Sequence, residues 1–371
     1  MKNPKHIVID ARIRRSSTGR YTDRLVEHLQ NFDTETRYSI LVEPDDKWNL
    51  KNRNFTTVPC RFKQFSFNPM DQFRFARQLR ELQPDLVHFT MTQQPIPYFG
   101  KTITTTHDLT MLRYSRPGRL PVWIHQIRMM AYRFLAWWAH KKSKVIIAPT
   151  QFVADDIAQH YPGTKNKLRV THEASDHITK IRPKALKGTR KPFIFHVGSP
   201  FPHKNIKRLI QAFEIVKEHQ PNLQLVLGGK KEQYYEKLEA WAADSPAFKS
   251  ILFPGFVTDA EMRWLHENAE AYVLPSLSEG FSIPGLEAMD NGCVLISSNA
   301  SCLPEVYGDA ARYFDPEDVS DMARAIQEVL RDEKLQKKLR AEGKKQVKKY
   351  SWDKMAKESL AIYNEVLGVK S

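Results

Sequence analysis

Short apolar runs alternate along the chain with segments in which apolar residues recur every three or four positions. In the first half the runs lie at residues 6–12, 38–43, 85–90, 102–108 and 144–150. In the second half they lie at residues 192–198, 223–229, 250–256, 271–276 and 294–299. Such runs predict buried strands, and the periodic segments predict helices, among them 21–31, 206–219 and 259–269. Strands separated by helices indicate parallel sheets covered on both faces, so we expect an α/β fold.

The pattern of the first half is repeated in the second, which predicts two Rossmann-like domains, over residues 1–180 and 190–350. A length of 371 residues fits this division, because one domain takes about 150 residues. Residues 181–192 are basic, hold two prolines and a glycine and lack apolar periodicity, which is typical of a linker. An amphipathic helix is predicted at 351–367. Open α/β sheets bind ligands at the carboxyl ends of their strands, so we expect a site there.

Composition narrows the class of protein. The apolar content of 41% and charged content of 27% are ordinary for a globular protein, and no run of about 18 apolar residues predicts a membrane span. Three scattered cysteines without a C-x-x-C pair predict reduced thiols in a cytoplasmic protein without structural zinc. The net charge of +15 favours anionic partners. Nucleic-acid binding would require basic clusters with aromatic residues, and these charges are diffuse, so we expect no nucleic-acid partner.

The stretch SEGFSIPGLEAM, residues 278–289, places Glu279 and Glu287 on either side of a glycine-containing turn. The preceding strand stops at Pro275, and a short helix is predicted to begin at Pro284, with Glu287 in its first turn. A helix start after a strand is an anion site that suits phosphate. Glu287 could then accept hydrogen bonds from a ribose diol, and Glu279 could reach groups beyond the phosphates. The spacing alone is also compatible with two incidental glutamates at a helix start.

The run LPSLSEGFSIPGLEAMDNG, residues 274–292, resembles the E-x7-E signature of retaining, nucleotide-sugar-dependent glycosyltransferases of family 4 (group 1). Residues 196–213, 255–276 and 303–316 are similar to further blocks of that family, so the resemblance covers most of the second half. In the first half, residues 9–29 and 104–109 look most like bacterial mannosyltransferases. The resemblance implies a GT-B fold, in which two Rossmann-like domains face each other across a cleft. It also implies that residues 1–180 bind the acceptor, that 190–350 bind the nucleotide sugar and that the helix in 351–371 crosses back to the first domain.

The same resemblance implies roles for individual residues. Lys204 would bind the diphosphate, and His107 and Glu279 would position the transferred sugar. The nucleotide-sugar site would be completed by Gly19, Gly198, Ser199, His203, Phe256, Val257, Ser278, Gly280, Phe281 and Glu287. Ser199 stands where many relatives carry a phosphate-binding arginine, and His203 could partly replace it. On local grounds alone, Gly19 could be a tight turn, His107 a structural histidine and Lys204 a solvated surface lysine.

The expected activity is transfer of a hexose to an acceptor hydroxyl with retention of the anomeric configuration. Mannose from GDP-mannose is favoured, a UDP-linked glucose, galactose or N-acetylglucosamine comes second, and a non-catalytic nucleotide-sugar-binding subunit is a further alternative. The acceptor would be a glycan or a lipid-linked saccharide. We expect no cofactor, and no metal because the sequence has no D-x-D triplet. The aromatic and basic residues 121–144 predict either a helix at the inner face of a membrane or a helix whose Phe134, Trp137 and Trp138 face the core.

Overall fold

The fold was analysed in a computed structural model that describes residues 4–16, 18–62, 66, 68–114, 121–176 and 178–369. Contacts divide the chain into two units. Unit 1 holds residues up to Leu112, residues 121–173 and the chain from Ser351 onward. Unit 2 holds Ala174–Tyr350 together with Arg113 and Tyr114.

Unit 1 is built on a parallel sheet with strand order β3-β2-β1-β4-β5-β6-β7. Its strands are β1 His6–Asp10, β2 Arg37–Val42, β3 Phe55–Pro59, β4 Leu86–Phe89, β5 Thr102–Thr105, β6 Val145–Ala148 and β7 Leu168–Val170. Its helices up to residue 160 are α1 Gly19–Phe32, α2 Pro69–Glu81, α3 Thr110–Arg113, α4 Val122–Lys142 and α5 Gln151–His160. Every residue of β1, β4, β5 and β6 is buried, as expected for a parallel sheet that is covered on both faces.

Unit 2 contains a second parallel sheet, with strand order β10-β9-β8-β11-β12-β13. Its strands are β8 Phe193–Val197, β9 Gln224–Gly228, β10 Ile251–Gly255, β11 Ala271–Leu274, β12 Leu295–Ser298 and β13 Ala311–Phe314. Its helices are α6 Ile206–His219, α7 Gln233–Ala242, α8 Asp259–Asn268, α9 Ile283–Asp290, α10 Leu303–Tyr307, α11 Val319–Arg331 and α12 Glu333–Val347. The predicted α/β class is confirmed in both units.

Each sheet has one point at which the strand order reverses. In unit 1 the chain runs outward from β1 through β2 to β3, and then continues on the other side of β1 with β4. In unit 2 the same reversal lies between β8 and β11. The connections after the two central strands leave the sheet in opposite directions at such a point, which opens a crevice at the carboxyl edge.

The last helix, α13 Trp352–Leu367, belongs to unit 1. Its Tyr363 is fully buried, and the Tyr363 hydroxyl lies 2.6 Å from Nδ1 of His88 in β4. Nε2 of His88 contacts the hydroxyl of Thr105 at 2.8 Å, and that hydroxyl lies 3.1 Å from the Tyr21 hydroxyl of α1. A buried hydrogen-bond network therefore connects the end of the chain to the centre of the first sheet.

The segment predicted as a linker, residues 181–192, packs onto unit 2. The amide of Lys184 donates to the carbonyl of Ala260 at 3.0 Å, and the amide of Arg190 donates to the side chain of Gln224 at 2.7 Å. Leu186 is buried. The segment is thus held by backbone hydrogen bonds, unlike a flexible tether.

Helix α4 corrects one of the two predictions for residues 121–144. The residues that it buries are Leu135, Ala136, Ala139 and His140. Phe134 and Trp137 are exposed, and Trp138 is half-buried. The alternative in which Phe134 and Trp137 face the core is therefore wrong, because small residues on the other side of the helix make that contact.

Candidate functional site

Lys204 and Glu279 form an ion pair at the switch point of the second sheet. Lys204 ends a short 3-10 turn, Pro202–Lys204, between β8 and α6, and Glu279 lies in the loop between β11 and α9. Their Nζ and Oε1 atoms are 2.6 Å apart, and the side chains are 22% and 11% exposed. Two residues that the sequence predicted to be catalytic, 75 positions apart, are thus in direct contact.

Asn205 fixes the position of Lys204. Its backbone is left-handed, with φ of 59°, which reverses the chain between the 3-10 turn and α6. Its side-chain amide donates to the carbonyls of Pro275, at 3.1 Å, and Pro316, at 2.7 Å. The amide of Leu277 also donates to the carbonyl of His203, at 2.7 Å. The turn that carries Lys204 is therefore tied directly to the loop that carries Glu279.

The ion pair keeps Glu279 ionised. Burial alone would raise the pKa of this carboxyl, but the ammonium of Lys204 outweighs burial and leaves the pKa below its ordinary value. A protonated His203 acts in the same direction. At neutral pH the site therefore presents an ammonium and a carboxylate side by side.

The loop of Glu279 is anchored by hydrogen bonds of its own backbone. The Glu279 amide donates to the hydroxyl of Ser301 at 3.0 Å, and its carbonyl accepts from the thiol of Cys302 at 3.3 Å. The Glu279 amide and carbonyl therefore each have a partner within unit 2. Ser278 and Gly280 are buried, and the Phe281 ring packs edge-on against Tyr350 with centroids 5.3 Å apart.

Helix α9 begins one residue earlier than predicted. Ser282 precedes it in the left-handed conformation, with φ of 69°, and Pro284 is its second residue. Glu287 is consequently in the second turn, and the prediction of the first turn is wrong. Its side chain is half-buried. Burial, followed by the charges of Glu279 and Glu287, raises the pKa of Tyr272 in β11, so both carboxylates lie near that strand.

Gly285 is required by the packing of α9. A Cβ atom at this position would lie 2.2 Å from the hydroxyl oxygen of Tyr307. That hydroxyl is fixed, because it donates to the carbonyl of Ser282 at 2.5 Å and the tyrosine is fully buried. The start of α9 is therefore held in place by its contact with Tyr307 of α10.

The turn after β8 contains the predicted residues Gly198, Ser199 and His203. The Gly198 amide donates to the carbonyl of Gly228 at 3.0 Å, and the Ser199 carbonyl accepts from the amide of Phe201 at 2.8 Å. His203 is buried with its ring stacked on Phe201, centroids 6.1 Å apart. His203 thus lies inside the turn, close enough to influence Glu279.

His196, which sequence reasoning did not single out, lies directly beneath this turn. A Cβ atom on Gly198 would come within 3.3 Å of its Nε2. Its Nδ1 contacts the Val273 carbonyl at 2.9 Å, which makes Nδ1 the protonated nitrogen, and burial lowers the pKa of His196 to about 4. Nε2 of the neutral ring has no hydrogen-bond partner among the described residues. A histidine inside an otherwise apolar strand was the sequence signal that could have identified it.

Phe256 and Val257 follow β10, two strands away from β8. The Phe256 ring is 66% exposed at the carboxyl end of the sheet. Val257 is buried against Gly228, where a Cβ atom would lie 2.7 Å from a methyl carbon of the valine. This edge of the sheet therefore offers an exposed aromatic face on a rigid support.

His107 follows β5 in unit 1 and uses both ring nitrogens. Nδ1 lies 3.0 Å from a carboxylate oxygen of Glu173, and Nε2 lies 3.0 Å from the carbonyl of Thr90. Both partners can only accept, so both nitrogens carry a proton when the contacts are made. Burial lowers the pKa of His107, but the Glu173 carboxylate outweighs burial and raises it above the ordinary value. The contacts with Glu173 and Thr90 thus favour the protonated ring.

Gly19 has a steric role of its own. It is the first residue of α1, and a Cβ atom there would lie 2.3 Å from backbone atoms of Arg14. Only glycine allows this close approach of the loop after β1 to the start of the helix. The tight-turn alternative thus accounts for the glycine without a ligand.

The structure gathers most of the predicted residues at one edge of unit 2. They are Gly198, Ser199, His203, Lys204, Ser278, Glu279, Gly280, Phe281 and Glu287, in the connections after β8 and β11. His107 and Gly19 belong to unit 1. Within the described ranges, no group of three His, Cys, Asp or Glu side chains is arranged to hold a metal ion. No helix in the described part of the chain is long and apolar enough to span a membrane.

Comparison with known proteins places this geometry in a family. Residues 177–346 match the family of glycosyl transferases group 1, and residues 18–177 match glycosyltransferase family 4. The O-antigen chain mannosyltransferase B of Escherichia coli is 26% identical over 71% of this chain and 70% of its own length. The serotype-specific mannosyltransferase WbdA of Escherichia coli is 29% identical over 60% of this chain, which is 27% of that longer protein.

The solved structure of sucrose-phosphate synthase from Thermosynechococcus elongatus shares the fold. It superposes with a TM-score of 0.78 at 16% identity and covers 99% of this chain and 100% of that one. The two family matches meet at residue 177, close to the boundary between the units, and together they include every residue of the Lys204–Glu279 site. The chain is a glycosyltransferase of the group 1, family 4 type with the GT-B fold.

Proposed function

We propose that this glycosyltransferase moves mannose from GDP-mannose to a hydroxyl of a glycan or lipid-linked acceptor, with retention of the anomeric configuration. The observation that carries the donor site is the Lys204–Glu279 ion pair at the switch point of the second sheet. The choice of mannose is supported by the relatives, which are named as mannosyltransferases at 26% and 29% identity. A UDP-linked hexose is the alternative that the same site could accommodate.

The ion pair suggests how Lys204 and Glu279 would each contact the sugar donor. A diphosphate carries more negative charge than one carboxylate, so it would draw the Lys204 ammonium away from Glu279. Glu279 would then be free to accept hydrogen bonds from hydroxyl groups of the sugar. The start of α9, with its aligned peptide dipoles, would add positive potential beside the phosphates.

The reaction replaces one C1–oxygen bond of the sugar by another. The bond to the phosphate breaks, the acceptor oxygen bonds to C1 on the same face, and the acceptor proton passes to the departing phosphate oxygen. Charge grows on the leaving diphosphate during this step. Lys204 would stabilise that charge from a fixed position, an effect that is strongest in a partly buried site.

Two further positions are assigned within this proposal. The exposed ring of Phe256, at the end of β10, would provide a face for the nucleobase. His107, whose protonated form is favoured by the contacts with Glu173 and Thr90, would act on the transferred sugar through its position and charge. A role as a general base is disfavoured, because both of its nitrogens already face acceptors.

The donor class can be tested by ligand-induced stabilisation. The melting temperature would be measured with GDP, UDP, ADP and CDP, each with and without Mg²⁺, since a ligand of the folded state raises it according to affinity. Stabilisation by GDP alone supports GDP-mannose, and stabilisation by UDP alone overturns that choice. Retention would be tested by NMR of the anomeric proton of the product. A nucleotide that binds without any transfer of sugar would favour the non-catalytic alternative.

A further inference from the structure

Helix α4 presents a continuous line of large apolar side chains to solvent. We call this line the apolar stripe; it consists of Trp123, Ile127, Met130, Phe134 and Trp137, which are 63%, 52%, 60%, 50% and 41% exposed. Successive members are alternately four and three residues apart. At 3.6 residues per turn this spacing keeps them within about 80° of one another along about 21 Å of helix.

The opposite side of α4 is already used by the core of unit 1. Leu135, Ala136 and Ala139 are buried there, and Gln94 donates to the Ala139 carbonyl at 3.0 Å. The helix is therefore apolar on two sides, of which unit 1 covers one. Isolated exposed apolar residues are common, but a contiguous line of five is typical of a surface that meets another apolar phase.

The charges around the stripe indicate which phase it meets. The sequence of α4 contains no aspartate or glutamate. Arg133, next to the stripe, is exposed, and the Lys141 ammonium lies 4.8 Å from the ring centroid of Trp137, at the end of the stripe. Basic residues beside an aromatic and aliphatic face are typical of helices that lie in the headgroup region of a bilayer with anionic lipids.

A second exposed apolar group lies on the neighbouring helix. Residues Asp71, Gln72 and Phe75 of α2 line one small cavity together with Leu135 of α4, so the two helices are adjacent. On α2, Met70 is 54% exposed and Phe73 is 62% exposed. Unit 1 therefore exposes large apolar side chains on two adjacent helices.

We propose that the apolar stripe of α4 docks this chain onto a lipid surface that carries anionic headgroups, with the helix axis parallel to the surface. Trp123, Ile127, Met130, Phe134 and Trp137 enter the boundary between headgroups and acyl chains, and Arg133 and Lys141 remain at the headgroups. The inference does not depend on the identity of the sugar donor.

Vesicle flotation tests this proposal. The protein is mixed with vesicles of phosphatidylcholine, or of phosphatidylcholine with phosphatidylglycerol, and the fraction that floats is measured. We expect flotation with the anionic vesicles, and a reduction of about tenfold or more in F134S/W137S, because half-exposed aromatic side chains contribute about 1 kcal/mol or more each on burial. The melting temperature should not change, because both side chains are exposed.

The electrostatic part has a matched control. R133Q/K141Q removes two exposed cations beside the stripe and should weaken binding about ten- to thirtyfold, at about 1 kcal/mol per cation. K334Q/K338Q removes two exposed cations of α12 in unit 2 and should leave binding unchanged. Equal loss in both variants would show that net charge alone is responsible and would overturn the docking role of α4.

Two other outcomes would also overturn the proposal. One is that the wild type floats with neither type of vesicle, or that F134S/W137S floats as well as the wild type. The other is that the wild type forms a dimer in sedimentation velocity that F134S/W137S does not form. The stripe would then be an interface between copies of this chain.

Discussion

Lys204 Nζ and Glu279 Oε1 are 2.6 Å apart, so the two residues expected to act on opposite ends of a sugar–phosphate bond are bound to each other. This contact is satisfied within unit 2. A donor that binds both residues must separate them and replace their mutual attraction. The energy of that exchange favours a ligand with a concentrated negative charge for Lys204 and hydroxyl groups for Glu279, which describes a nucleoside diphosphate sugar.

The first prediction separates these two roles. Glu279→Gln should lower the rate of transfer about 100-fold or more, the scale for loss of one positioned electrostatic contact. Its affinity for the nucleoside diphosphate should not fall, because Lys204 no longer has a competing carboxylate. Lys204→Met should instead weaken diphosphate binding about tenfold to a hundredfold. Calorimetric titration and steady-state kinetics measure the two effects.

Lys207→Met is the matched control for Lys204. Lys207 lies three positions further along, in α6, and its ammonium lies 4.7 Å from the ring centroid of Trp241. Its loss should leave diphosphate affinity and transfer unchanged. If Glu279→Gln weakened diphosphate binding as much as Lys204→Met, the ion pair would be a purely structural contact and the separation of roles would be wrong.

The His107–Glu173 pair predicts a pH-dependent stability of unit 1. The pKa of His107 is raised in the folded protein above its ordinary value of 6.5. Protonation therefore stabilises the fold fully below pH 6.5, and this contribution is lost as the pH rises through the folded pKa. The melting temperature should therefore fall as the pH is raised above 6.5.

Glu173→Gln tests the cause of that fall. The variant retains an acceptor oxygen for Nδ1 but removes the charge that raises the pKa, so its melting temperature should vary less over the same range. His107→Gln should abolish this contribution altogether. A wild-type slope that persists unchanged in both variants would assign the pH dependence to other groups.

Asn205 predicts a stability effect in unit 2. Asn205→Ala removes two hydrogen bonds to buried carbonyls and places a Cβ-bearing residue without a polar side chain at φ of 59°. We expect a loss of about 2–4 kcal/mol in the free energy of unfolding. Asn205→Gly tolerates the backbone angle and should lose about 1 kcal/mol less. Urea denaturation measures both.

Asn222→Ala is the control for Asn205, since Asn222 is an exposed asparagine of the same unit. Asn222→Ala should leave the midpoint of urea denaturation unchanged. Equal midpoints for Asn205→Ala and the wild type would show that the hydrogen bonds to Pro275 and Pro316 do not hold the turn, and the account of how Lys204 is positioned would fail.

The parts of the fold that sequence predicted are those in which burial dictates the pattern. The strands β1, β4, β6, β8 and β11 consist mostly of apolar residues because helices cover both faces of the sheet. Strand β3 was not predicted, because Thr56 and Thr57 are exposed at the edge of the sheet and the strand ends at Pro59. The apolar pattern of β3 in the sequence is correspondingly weak.

The candidate site was predicted by type of residue more than by geometry. The strand–loop–helix pattern placed Lys204 and Glu279 at one edge of a sheet, but their direct contact depends on the reversal of strand order between β8 and β11, which no local pattern encodes. The partners of His107 were also hidden, because Glu173 and Thr90 are distant in sequence. The spacing of apolar residues in α4 does not show which of its two apolar sides faces the core. Packing buries only one of them.

The last prediction concerns α13, which packs within unit 1. Tyr363 of α13 contacts His88, whose pKa burial lowers to about 3, so the imidazole is neutral and its Nδ1 is an available partner for the hydroxyl. Tyr363→Phe removes this contact and leaves a buried nitrogen without it, which should cost about 1–3 kcal/mol. Hydrogen exchange followed by mass spectrometry should show faster exchange in peptides from β4 and α1 and unchanged exchange in peptides from β8 and β11.

The control is Tyr234→Phe, since Tyr234 is a half-buried tyrosine of unit 2. This variant should leave hydrogen exchange in β4 and α1 unchanged. Faster exchange spread equally over both units would mean that α13 stabilises the whole chain and that its assignment to the first domain is wrong.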